Sequence, residues 1–213
     1  MPRYYDLSQS ITEDMSFFPG DPTPSIQPAQ GVTLPWRVSE LCLSSHTGTH
    51  IDAASHYLVA GMTIDQYPLE RFILPGIVVH LGGLYADEAI GPDCFTGFLP
   101  ELPKGGAILI RTDWDQYWGS ELYMNHPYLS SEAASRLVET GASLVGIDAL
   151  NVDSTIQATS RVHEILLSNN ILIVENLARL SQLSAGEIYQ FSFVPLSFPG
   201  LDGSPLRAIA WKE

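Results

Sequence analysis

The segment SLVGIDALNVDSTIQATSRVHEILLSNNILIVEN, residues 143–176, decides the fold class because its ends and its centre carry different apolar patterns. The ends, SLVGID and ILIVEN, are short apolar runs rich in β-branched residues and bounded by turn residues, which is typical of buried strands. In the centre, Val162, Ile165 and Leu166 recur at the spacing of one helix face. The asparagine pair at 169–170 then predicts the helix end. The segment therefore predicts a strand, a helix and a second strand.

The same patterns continue on either side of this segment. GIVVHL from Gly76 and AILIRT from Ala107 predict two further buried strands. SSEAASRLVETG predicts a helix with a serine cap at Ser130 or Ser131 and a stop at Gly141. The tail returns to strand in GEIYQFSFVPLSFPG and PLRAIAW. Strands at both ends, with β-α alternation in the second half, predict an α/β domain with a mixed sheet.

Length and composition limit the classes of protein to consider. The 213 residues show no repeat or linker, so we predict one domain over 1–213. A formal net charge of -14, with ten Lys and Arg in total, disfavours nucleic acid and anionic membranes as partners. The N-terminal MPRYYDLSQS lacks a signal-peptide core, no apolar run has the length of a membrane span, and Cys42 and Cys94 are too few for a disulfide framework. We therefore expect a cytoplasmic protein.

The stretch HTGTHIDAASH, residues 46–56, concentrates metal-competent side chains. Its glycine and β-branched residues favour an extended chain over a helix. In an extended segment alternate side chains share a face, so His46, His50 and Asp52 would group on one side, with Gly48 leaving space for an ion. Imidazole and carboxylate ligands suit Zn2+, Mn2+ or Fe2+.

Spacing alone leaves two other interpretations open. A histidine in such a segment can be a hydrogen-bonded structural residue. A metal ion there can also be purely structural, although such sites usually include cysteine and Cys42 lies four residues outside the cluster.

Together with further segments, the histidine-rich stretch resembles a known family. HTGTHIDAASH resembles the His-x-Gly-Thr-His-x-Asp-x-Pro-x-His signature of the metal-dependent cyclase and hydrolase family, which includes bacterial kynurenine formamidase. YDLSQSI and FFPGDP resemble its opening, and RTDWDQYWG and HPYLSSEAASRLVETGASLVGIDALNVD its middle. VHEILLSNNILIVENL matches its histidine and glutamate twelve residues apart, here His163 and Glu175. The resemblance covers nearly the whole chain and implies the family's mixed-sheet swivelling β/β/α domain.

The resemblance also implies a site with two metal ions. One ion is held by His46 and His50 and the other by His163, while Asp52 and Glu175 reach both. The implied ion is Zn2+, two per chain, with Mn2+ as the alternative. Members of the family are commonly dimers or tetramers, so the resemblance implies a homo-oligomer.

His56 occupies the place of the family's catalytic histidine. A water made acidic by the metal would attack an amide carbonyl, and His56 would carry the proton to the departing nitrogen. The leading small-molecule substrate is N-formyl-L-kynurenine, cleaved to L-kynurenine and formate. The alternatives are an isatin hydrolase-like enzyme acting on a cyclic amide or ester, and a non-catalytic metal-binding protein on the same fold.

Three positions depart from the family pattern. Ala54 stands where the signature has proline, and Ser154 follows Asp153 where many relatives have proline. These two changes affect loop rigidity. Phe18 stands where formamidases often have a tryptophan that contacts the substrate, so it bears on substrate identity.

Overall fold

The computed structural model describes residues 2–212 and shows a mixed α/β fold around one large sheet. In chain order its strands are β1 Arg3–Asp6, β2 Ser25–Pro28, β3 Ser39–Cys42, β4 His50–Asp52, β5 Ile73–His80, β6 Ala89–Ile90, β7 Ala107–Arg111, β8 Tyr128–Leu129, β9 Leu144–Ile147, β10 Leu172–Glu175, β11 Ile188–Ser192, β12 Gly203–Pro205 and β13 Ile209–Lys212. The α-helices are α1 Ser131–Glu139 and α2 Arg161–Ser168. Short 3₁₀-helices cover Ala54–His56, Ile64–Gln66, Leu69–Arg71, Pro92–Phe95, Leu99–Glu101, Trp114–Tyr117, Glu121–Asn125 and Leu180–Gln182.

The large sheet has the order β1-β13-β11-β5-β7-β9-β10-β4-β12. Its centre, from β5 through β7 and β9 to β10, is parallel. The outer strands on both sides pair antiparallel, so the predicted mixed sheet is confirmed. Two small pairs, β2 with β3 and β6 with β8, lie outside it.

The central strands are buried on both faces, as their continuous apolar sequences predict. Ile108 and Ile110 of β7 pack in one apolar cluster with α1 and α2, whereas Leu109 packs in a second cluster with β11 and β13. The strands predicted from Gly76 and Ala107 are confirmed, as are both strands of the segment 143–176.

Both predicted helices are confirmed, with one refinement. In α1 the Ser130 hydroxyl caps the helix by accepting a hydrogen bond from the Ala133 N–H at 3.1 Å. α2 begins only at Arg161, because the Asp153 carboxylate accepts hydrogen bonds from the N–H groups of Val162 at 3.0 Å and His163 at 2.9 Å. Residues 155–158 form a turn before the helix.

The expectation of an extended chain from His46 to Asp52 is wrong in its first half. β4 begins at His50, and residues 45–49 form a turn and bends in which Gly48 has a φ of +65°. A Cβ on Gly48 would approach the Ile11 side chain at 3.1 Å, so this glycine serves the turn and does not leave space for an ion.

Two further features concern the chain as a whole. Within residues 2–212, no helix is both long and apolar enough to cross a bilayer. Residues 1 and 213 lie outside the described range, and the single domain over 1–213 stays a prediction.

Candidate metal centre

Two carboxylates and two imidazoles form a buried group where β4, β10 and α2 meet. β10 pairs antiparallel with β4 so that Glu175 lies opposite His50. Alternation along β4 places Asp52 on the same face as His50. His163, in the first turn of α2, completes the group. Each of the four residues is at most 6% exposed, so water cannot solvate their charges.

The distances within this group fit shared ions better than direct hydrogen bonds. His50 Nε2 lies 3.4 Å from Asp52 Oδ1 and 3.5 Å from Glu175 Oε2. His163 Nε2 lies 3.6 Å from both Asp52 Oδ2 and Glu175 Oε1. Two ligand atoms at about 2.0–2.1 Å from one tetrahedral zinc ion lie about 3.3–3.4 Å apart.

Asp52 supplies independent support for a cation. Its Oδ2 atom is buried and has no hydrogen-bond partner among the described residues. A buried, unpaired carboxylate oxygen is costly, and coordination of a cation would remove that cost. The donor set therefore fits a transition metal held by imidazole and carboxylate.

Hydrogen bonds orient the two inner imidazoles. His50 Nδ1 donates to the Gly48 carbonyl at 2.8 Å, and His163 Nδ1 donates to Asp153 Oδ2 at 2.9 Å. Both bonds leave Nε2 facing Asp52 and Glu175, as the ring nitrogen available to a cation. Such outer partners set the tautomer and the ring angle of metal-binding histidines.

A second, more exposed group adjoins the buried one. His46 Nδ1 donates to Asp52 Oδ1 at 2.8 Å, and His46 Nε2 donates to Asp202 Oδ2 at 2.9 Å. His56 Nδ1 donates to the same Asp202 oxygen at 3.1 Å. The ring centroid of His56 lies 4.1 Å from that of His46 and 5.6 Å from that of His163. His56 therefore lies at the edge of the donor set.

The carboxylates dominate the electrostatics of the site. Burial opposes the charged form of His46, but Asp52 and Asp202 raise its pKa to about 10. Burial likewise opposes protonation of His163, but Asp153, Asp52 and Glu175 raise its pKa to about 10. Protons hold the positive positions in this carboxylate-rich site, and a divalent cation would compete with them.

A cavity of about 280 Å³ opens beside these groups. Its lining comprises Phe18, Asp21, His46, His50, His56, Tyr57, Leu150, Asn151, Thr159, Ser160, His163, Glu175 and Asn176. Phe18 and Tyr57 contribute aromatic surface, and Phe18 is 40% exposed. The cavity gives a small molecule access to the donor set.

The structure brings together all the predicted site residues, whose roles stay predictions: His46, His50, Asp52, His56, His163, Glu175 and Phe18. Sequence analysis missed Asp202 and Asp153 as orienting carboxylates. Asp153 had a local signal, since it lies ten residues before a predicted ligand on the following helix. Asp202 lies 146 residues from His56 and had none.

Comparisons with known proteins agree with this geometry. Residues 5–154 match the Cyclase family model, which is described as "Putative cyclase". Kynurenine formamidase from Maricaulis maris (strain MCS10) is 31% identical over 220 residues, covering 98% of this chain and 98% of that protein. The match to the family model spans well over half of the chain.

Solved structures share the fold. Isatin hydrolase A from Labrenzia aggregata, bound to benzyl benzoate, superposes with a TM-score of 0.88 at 24% identity, covering 99% of this chain and 93% of that one. A Bacillus stearothermophilus protein described as a predicted metal-dependent hydrolase gives a TM-score of 0.82 at 25% identity, with 100% of both chains covered. Family model, relative and architecture agree, and the chain belongs to the cyclase family.

Proposed function

We propose that this protein is a metal-dependent hydrolase of aryl formamides that converts N-formyl-L-kynurenine to L-kynurenine and formate. One observation carries the proposal: Asp52 and Glu175 lie between His50 and His163 at distances of 3.4–3.6 Å, which provides carboxylates for two ions. The similarity to kynurenine formamidase over 98% of the chain supports the substrate class.

Two overlapping sets of ligands would hold the ions. His46, His50 and Asp52 form one set, and Asp52, His163 and Glu175 form the other. We propose Zn2+ in both, with Mn2+ as an ion that the same ligands accept. When bound, such ions supply Lewis acidity and lower the pKa of water from 15.7 to about 7.

The protein's own groups would then handle orientation and proton transfer. Phe18 and Tyr57 offer apolar faces to an aromatic ring in the cavity. His56 lines the cavity, where its Nε2 can accept the proton released by the attacking water and pass it to the departing arylamine nitrogen. His50 and His163 stay held through Nδ1 and keep the donor set in place.

A substrate panel tests the proposal. The zinc-loaded protein would be assayed with N-formylkynurenine, formanilide, isatin and a cyclic imide, before and after chelation. We expect turnover of the two formamides that disappears on chelation and returns with zinc. Turnover of isatin or the imide alone would instead assign a ring-opening hydrolase, and no turnover of any compound would favour a metal-binding protein without catalysis.

We also propose a homo-oligomer. The β2–β3 pair lies outside the large sheet, and its region exposes large apolar side chains, including Leu34 at 86%, Trp36 at 73% and Leu41 at 58%. Such surface is typical of self-association. A monomeric mass by light scattering at micromolar concentration would contradict the proposal.

A further inference from the structure

We propose that Asp202 is a positioning residue that sets the tautomer and orientation of His56, an inference that rests on the proposed function. The Asp202 carboxylate receives the Nδ1–H of His56 at 3.1 Å. In a neutral imidazole with Nδ1 protonated, Nε2 is the acceptor. That nitrogen is then free to exchange a proton with a substrate in the cavity.

The carboxylate is itself held in place. Asp202 Oδ1 accepts a hydrogen bond from the Ser45 hydroxyl at 2.9 Å, while Oδ2 is shared by His46 and His56. Both oxygens are therefore engaged, and rotation of the carboxylate would break at least one bond. A group fixed in this way can define the angle of a neighbouring ring.

The backbone places Asp202 beside the predicted ligands. Its carbonyl accepts a hydrogen bond from the Ala53 N–H at 2.8 Å, directly after β4. The next residue, Gly203, lies opposite Asp52 in the β4–β12 pair. A Cβ on Gly203 would lie 2.8 Å from the Ile51 carbonyl oxygen and 3.0 Å from the His46 ring. Glycine at 203 thus permits the close approach that brings Asp202 to both histidines.

Asp202 is the hydrogen-bond partner of the His56 ring. Within residues 2–212, the hydrogen bond to Asp202 is the one that the His56 imidazole makes. The His56 side chain is 33% exposed, so without this bond water would compete for both nitrogens. The Nε2–H tautomer would then become populated. In that tautomer Nε2 already carries a proton and cannot accept another from the cavity.

The test separates orientation from metal binding. The zinc content would be measured in three zinc-loaded variants: Asp202→Asn, Ser45→Ala and Asp93→Asn. Asp93→Asn is the control, because it changes an exposed carboxylate. Asp202→Asn should keep its zinc and lower kcat by about 10- to 100-fold with KM changed less than about twofold, as for loss of an outer hydrogen-bond partner. Ser45→Ala, which keeps both histidine contacts, should lower kcat only a few-fold.

A double variant identifies the route of the effect. If Asp202 acts through His56, then His56→Ala combined with Asp202→Asn should be no slower than His56→Ala alone. Additive losses, or zinc loss in Asp202→Asn as large as in His46→Ala, would overturn the proposal.

A spectroscopic readout is independent of turnover. The measurement is the ¹⁵N spectrum of the zinc-loaded protein, in which the His56 signals are identified by comparison with His56→Ala. The wild type should show a protonated Nδ1. Asp202→Ala should shift His56 toward the Nε2–H tautomer. An unchanged tautomer would overturn the inference. Failure of every substrate would overturn the proposed function alone, because these spectra would still decide the role of Asp202.

Discussion

The buried group of His50, Asp52, His163 and Glu175 and the edge group of His46, His56 and Asp202 are held by different kinds of structure. β4, β10 and α2 carry the buried group, with Glu175 opposite His50 in the β4–β10 register. Turns and a short 3₁₀-helix carry the edge group, which is fixed by side-chain hydrogen bonds. Rigid, water-free positions suit ligands, whereas a partly exposed ring suits proton transfer. We therefore expect damage to the buried group or to His46, which is also a proposed ligand, to remove metal, and damage to His56 or Asp202 to slow turnover.

The largest expected effect comes from breaking the buried group. Glu175→Gln removes a negative charge between His50 and His163, so the protein should bind about one ion less per chain, and kcat/KM should fall at least about 10⁴-fold because the ions contribute several kcal/mol. Elemental analysis and steady-state assays check both values. The control is Glu164→Gln, in the same helix as His163 but partly exposed and paired with Arg161. A Glu175→Gln protein with its full metal content would contradict the ligand assignment.

Removal of the His56 imidazole should lower the rate less than loss of Glu175 and should leave the metal in place. His56→Ala is expected to keep its ions and to lose about 10²- to 10⁴-fold in rate, the range for a general acid or base. His80→Ala, which removes an exposed histidine bonded to Asp113, is the matched control. Metal loss in His56→Ala equal to that in His50→Ala would show that the two groups do not differ in function.

The metal-free protein should reveal the charge of the site through its pH dependence. His46 and His163 have folded-state pKa values of about 10, against 6.5 in the unfolded chain. Their protonation therefore stabilises the metal-free fold fully below pH 6.5, and this contribution is lost as the pH rises through 10. We expect the Tm of the chelated protein to fall by about 5–10 °C more between pH 7 and 10 than that of the zinc-loaded protein. If the Tm of the chelated and the zinc-loaded protein changed equally with pH, this expectation would be contradicted.

The smallest expected effect lies at the cavity wall, outside both groups. If Phe18 stacks on the substrate ring, Phe18→Ala should raise KM for aromatic formamides about three- to fivefold while changing kcat less, since about 1 kcal/mol of contact is lost. Phenylalanine lacks the N–H of a tryptophan, so we also expect a relaxed preference for the amino-acid tail of N-formylkynurenine. Phe198→Ala, equally exposed at 40%, is the control. Unchanged KM for every aromatic substrate would remove the stacking interpretation.

Much of the fold could be predicted because its signals are local. The four apolar runs from Gly76, Ala107, Ser143 and Ile171 became the parallel centre of the sheet, since strands buried on both faces must be apolar throughout. The helix from Ser130 to Gly141 followed its cap and its stop. The family membership indicated by HTGTHIDAASH is likewise confirmed.

The local signal failed where the chain reverses. His46 reaches Asp52 through a turn at Gly48 and not along an extended strand, because a glycine at positive φ can redirect the chain without a steric cost. The sequence thus indicated which side chains belong to the site. The backbone conformation that places His46 beside Asp52 depends on the turn at Gly48 and its packing against Ile11.

By itself, the sequence determined the identity of the metal-competent side chains, the strand and helix types and the family, because residue chemistry and periodicity act over a few positions. The tertiary structure alone decided that Asp202 joins His46 and His56. These contacts depend on the register of β12 against β4 and on packing between distant segments. Such pairing is selected by the whole folded chain, so no short stretch of sequence specifies it.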